Sequence, residues 1–115
     1  MCKVGGVFEM KGGKISGNDA SYGGGVFVAD SGTFSMTWGT ITNNIGWMTG
    51  GGVYNSGTFN MYGGEITNNT DSDGRNDGGG VYNSGTFNVQ YGIISGNKGS
   101  DVYNARDNND GSIKP

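Results

Sequence analysis

The densest run of potential metal ligands in the chain is Asp71-Ser72-Asp73-Gly74-Arg75-Asn76-Asp77. Acids alternating around a glycine suit Ca²⁺, which takes oxygen ligands from flexible loops. Asp71, Asp73 and Asp77 are therefore the candidate metal ligands. The spacing departs from the EF-hand pattern and lacks its later bidentate Glu, and Arg75 supplies an internal counter-charge. An ordinary solvated loop is the plainer expectation, and no cofactor is assigned.

Other chemistry is thinner. Glycoside hydrolysis works with two carboxyl groups about 5 to 9.5 Å apart. Asp19, Asp30 and Asp101 stand alone, and Glu9 and Glu65 occupy different places in the repeat described below. The chain has no His, which removes the usual base near neutral pH and any Ser-His or Cys-His nucleophile. No catalytic residue is assigned, and the chain is expected not to be an enzyme. The Gly triplets at Gly23, Gly50 and Gly78 are not followed by Gly-Lys-Ser/Thr or by a helical pattern, so they do not read as phosphate loops.

Two regular arrays remain as candidate binding surfaces. Thr33 and Ser35, Thr58 and Asn60, and Thr86 and Asn88 form a polar array of the kind that serves sugar or ice binding. Tyr54 and Tyr82 belong to an aromatic file, with Phe27 and Tyr103, suited to stacking on sugar rings or on a partner. Next to it runs a file of Val26, Val53, Val81 and Val102. Strand alternation puts one file inside and one outside; Val inside and aromatics half exposed is the preferred arrangement.

These arrays exist only if the chain repeats, and composition alone leaves that open. Leu is absent, and Val, Ile and Phe together number twenty of 115 residues, below the fifth that ordinarily separates globular from disordered chains. The net charge of −3 is too small for a disordered chain. The apolar residues present are strand formers. Seven scattered Lys and Arg make no basic stripe, so nucleic acid is not an expected partner. No apolar run approaches the roughly 18 residues of a membrane span, and Met1 to Gly6 has no signal-peptide layout. The single Cys2 cannot form an internal disulfide.

The spacing decides it. Phe8, Phe34, Phe59 and Phe87 head four units. Two residues on stand Met10, Met36, Met61 and Val89; five on, Gly13, Gly39, Gly64 and Gly92. Ile15, Ile41, Ile66 and Ile94 follow at seven, and Asn18, Asn44, Asn69 and Asn97 at ten. Thr58-Phe59-Asn60-Met61 and Glu65-Ile66-Thr67 alternate as strands do. Three short strands per unit cannot bury a face alone and must stack on neighbouring units, about 4.8 Å apart. The expected fold is an all-β, right-handed parallel β-helix of about four coils, a rod about 19 Å long. The coils run approximately 4–22, 23–49, 50–77 and 78–100, with 101–115 a partial coil and tail ending in the polar run Asp107 to Gly111. Gly39 and Gly92, where Trp38 and Tyr91 replace the preceding Gly, mark the second glycine of each pair as the obligatory one, at a bend needing positive φ. The Asn file is expected to ladder along the rod and to take left-handed backbone. Unit length varies after that Asn, at Asp19 to Tyr22, Ile45 to Thr49 and Thr70 to Asp77, which predicts loops along one edge. A smaller insertion at Val28 to Asp30 lengthens another corner.

The units Gly50-Gly51-Gly52-Val53-Tyr54-Asn55-Ser56-Gly57-Thr58-Phe59-Asn60-Met61 and Gly63-Gly64-Glu65-Ile66-Thr67-Asn68-Asn69 resemble the glycine-rich repeats of bacterial surface adhesin-like proteins. They are also similar to polymorphic outer-membrane protein repeats, and the resemblance covers roughly residues 4 to 104. It implies a pectin-lyase-type β-helix and an extracellular or cell-surface location. The chain's start in mid-unit fits a fragment of a longer solenoid. The function so implied is a structural and adhesive module displaying corner loops and a polar face to a glycan or host-surface ligand. Polysaccharide lyase or hydrolase activity, and ice binding through the Thr/Asn face, are the alternatives. Uncapped strand edges at the ends also predict end-to-end association, which a strictly monomeric species would count against.

Overall fold

Residues 1–105 are described in the computed structural model; the polar run 107–111 lies outside them. The first coil comprises β1 (Cys2–Val4), β2 (Val7–Ser16) and β3 (Asp19–Tyr22). The second repeats this as β4 (Val26–Val28), β5 (Thr33–Thr42) and β6 (Ile45–Thr49). The third is β7 (Val53–Asn55), β8 (Thr58–Met61), β9 (Glu65–Thr67) and β10 (Thr70–Asp71). The fourth is β11 (Val81–Asn83), β12 (Thr86–Val89) and β13 (Ile93–Ser95), and β14 (Val102–Asn104) opens a fifth. All pairings between named strands are parallel, and the described residues contain no helix. The chain is a parallel β-solenoid of about four turns.

Like residues sit over like. Phe8, Phe34, Phe59 and Phe87 pair in register, as do Met10, Met36 and Met61 with Val89, and Ile15, Ile41, Ile66 and Ile94. The Phe rings stack at 5.4, 4.9 and 4.9 Å. With Val26, Val28, Val53 and Val81 they form one dry interior. The Val file therefore points inward, and its aromatic neighbours are half exposed.

The strands are distributed differently from the expectation. The second and third strands of each unit are two limbs of one bent sheet, continuous in β2 and β5. The bend falls on Gly13, Gly39, Gly64 and Gly92, all with φ between 81° and 122°. A Cβ on Gly64 would stand 2.7 Å from Cε of Met36 in the coil before, and one on Gly92 would stand 2.7 Å from Cε of Met61. The bend glycine and the buried methionine thus require each other.

The segments expected as loops after the Asn form a third sheet, in the order β10-β6-β3. Only 72–77 projects beyond it. Its inward file is Ala20, Gly46 and Asp71, too small or too polar to announce a strand. Val28 likewise belongs to a strand, buried between Val4 and Asn55, so the second-coil insertion lies after it. Left-handed backbone is taken one residue before the Asn file, by Gly17, Asn43, Asn68 and Gly96. The molecule measures 32 × 26 × 24 Å. At four turns it is a block almost as broad as it is long, rather than a rod.

Candidate functional site

Both arrays singled out in the sequence are assembled. Thr33, Thr58 and Thr86 lie in register on the bent sheet, beside Ser35, Asn60 and Asn88. All six are partly or fully exposed. Asn88 Nδ2 donates to Asn60 Oδ1 at 2.9 Å, so part of this face already satisfies itself.

Phe27, Tyr54, Tyr82 and Tyr103 stack at 5.1, 4.9 and 5.5 Å with nearly parallel planes. Their ring faces are spent on one another, which leaves mainly edges for a ligand. Burial, then the neighbouring Tyr22, raises the Tyr54 phenol above its ordinary value; burial, then Tyr54 and Tyr103, does the same for Tyr82. Tyr22 closes one side of the file, edge-on to Tyr54 at 5.3 Å.

The acid loop is brought together as well, with one carboxylate oxygen from each of Asp71, Asp73 and Asp77 within 4.8 Å of the others. Their bonds turn inward. Asp71, only 3% exposed, accepts the Asp73 amide at 3.3 Å and the Asp77 amide at 3.0 Å. Asp73 accepts the Arg75 amide and pairs with its guanidinium at 3.4 Å. Asp77 Oδ1 is buried without a hydrogen-bond partner among the described residues. Burial raises the Asp71 pKa, and a side-chain hydrogen bond with Asp77 raises it further. Removal from water disfavours the charged form of Asp71. The three carboxyl groups carry six oxygens toward the six to eight ligands a Ca²⁺ ion takes, but both of those on Asp71 already accept loop amides. The cluster knots a loop.

One site was not anticipated. Where the bent sheet turns, a groove of about 630 Å³ runs across coils two to four. Trp38, Tyr62 and Tyr91 stand along one wall, and Thr40, Glu65 and Ile93 along the other. The bend glycines form its floor. Trp38 is 70% and Tyr91 75% exposed. One outward file at this turn changes from coil to coil: Lys14, Thr40, Glu65 and Ile93 stack in register with no two alike. The signal was present in the sequence. Trp38 and Tyr91 replace a glycine at a sheet bend, where a large ring has no room inside and must project. Tyr62 falls one residue earlier in its unit and so escapes column alignment.

No protein-family model, curated protein or solved structure matches this chain.

Proposed function

We propose that this chain is a structural and adhesive β-solenoid module of a bacterial cell-surface or secreted protein. It holds outward side chains and the 72–77 loop in fixed register toward an external ligand. The observation that carries this reading is a contrast within each coil. Inward files repeat Phe, Met and Ile nearly unchanged, while the outward file just after the bend, Lys14, Thr40, Glu65 and Ile93, changes chemistry at every turn. Packing accounts for the first pattern, because a column of stacked coils accepts only one shape at each level. Nothing in packing requires the second.

The test is separability. Replacing the exposed Arg75 and Asn76 of the loop by Ser and Gly should leave the melting temperature within a few degrees, while binding of the labelled intact chain to cells or to a glycan array responds to changes on the outward faces. A chain that binds no cell surface and no glycan would remove the adhesive half of the reading. A replacement that unfolds the solenoid would remove the display half.

A further inference from the structure

We infer that the groove at the bend of the sheet is a subsite for an uncharged polysaccharide chain, lying along the solenoid axis and stacked on Trp38, Tyr62 and Tyr91. This rests on the display reading above and names its ligand class. A pyranose ring has one apolar face and a rim of hydroxyl groups. It therefore needs exposed aromatic faces with hydrogen-bonding groups beside them. Trp38, Tyr62 and Tyr91 come from three successive coils and are not stacked on one another, unlike the Tyr54 file. Thr40 and Glu65 supply a hydroxyl and a carboxylate on the opposite wall. Asn60 and Asn88 continue the polar face away from the aromatic wall.

Size and charge restrict the occupant. Three coils span about 10 Å, room for two or three linked sugars. A protein partner would need about 800 Å² on this side, from roughly 20 to 30 residues, against the ten that line this groove. Glu65 is the only Asp, Glu, Lys or Arg in the lining, and the whole chain carries −3, so an acidic polysaccharide is repelled. Of the two nearby lysines, Lys11 pairs with Glu9 at 3.7 Å, and Lys14 stands one coil beyond Thr40, outside the groove.

The chain has two tryptophans, so Trp47→Phe leaves Trp38 as the only indole reporter. Titrating that variant with cellohexaose and chitohexaose should give a saturable change in Trp38 emission with at least one of them. Hexagalacturonate should bind at least ten-fold more weakly. Adding Tyr91→Ala should weaken binding about ten-fold, whereas Tyr91→Phe, which keeps the ring, should restore it. Tyr22→Ala, outside the groove, should leave affinity unchanged, and an unchanged melting temperature confirms the fold of each variant. No response to either neutral hexamer, or tighter binding of hexagalacturonate, overturns the proposal. So does neutral-glycan binding that ignores Tyr91→Ala, although the display reading then survives with its ligand on another face. Cell binding without glycan binding also spares the display reading while ending this one.

Discussion

Two amide ladders climb the inside of this solenoid, and they end differently. In the first, Asn18, Asn44 and Asn69 each donate from Nδ2 to Oδ1 of the next Asn, at 3.0 to 3.1 Å. Asn97, the last amide, donates from both its backbone N and its Nδ2 to Asp101 Oδ1, each at 3.0 Å. In the second, Asn55 donates to Asn83 at 2.7 Å and Asn83 to Asn104 at 2.9 Å. Among the described residues the ladder stops there, and Asn104 Nδ2 is buried without a hydrogen-bond partner among them. A primary amide both donates and accepts, so a file of identical amides always leaves donors over at one end. A carboxylate only accepts, and it closes the file. The comparison separates two roles that one residue type plays at one spacing: a saturated rung, and an end that must be capped.

The largest effect is expected at a saturated rung. Asn69 is fully buried and serves the Asn44 amide and side chain, the Ile41 and Thr67 carbonyls and Asn97. Asn69→Ala strands several of these groups without water. It should cost about 3–5 kcal/mol in a urea melt. Asp101→Ala comes next, at about 1.5–2 kcal/mol, because it removes a charged acceptor from two bonds at a half-exposed site. Asn104→Ala should cost about 1 kcal/mol or less. It strands one Asn83 donor, which retains the Gly85 carbonyl at 3.3 Å, and it removes an Nδ2 that has no partner among the described residues. Equal losses for Asn69→Ala and Asn104→Ala would dissolve the distinction between the two ladders.

Asp101→Asn sharpens it. The change keeps an acceptor for Asn97 but gives the first ladder the same surplus donor that ends the second. A loss of about 1 kcal/mol, between wild type and Asp101→Ala, is expected by thermal melting. Stability at or above wild type would mean that the charge at the cap contributes nothing.

What could be read in advance follows the same division. The Phe, Met, Ile and first Asn files are legible because stacking repeats one residue at one spacing, and the positive-φ glycine of each bend is legible from Trp38 and Tyr91 standing before it. The second ladder is obscured because Val4 and Val28 occupy its rungs in the first two coils. The third sheet is hidden because Ala20, Gly46 and Asp71 carry no strand signal on its inner side. Left-handed backbone was expected on the Asn file; Asn43 and Asn68, immediately before it, take that conformation so that Asn44 and Asn69 can point inward. The groove is the least legible feature because it is the part that does not repeat.

The smallest effect tests whether a carboxyl pair can do what the amide ladders do. Asp71 accepts the Asp77 amide at 3.0 Å, and one carboxylate oxygen of each lies within 4.8 Å of the other, but two carboxylates together hold no hydrogen to share. Burial and the Asp77 bond raise the Asp71 pKa above its unfolded value of 3.8. The folded state therefore holds the proton more tightly than the unfolded chain does. That stabilisation is complete below the unfolded pKa and is lost as pH climbs through the raised folded value. Asp71→Asn removes the titration while keeping one acceptor and gaining a donor. The melting temperature of the wild type relative to Asp71→Asn should accordingly rise as pH is lowered from 7 toward 4. Parallel curves would show that Asp71 holds its proton alike in the folded and unfolded chain, and a relative fall of the wild type on acidification would show that folding favours its anion.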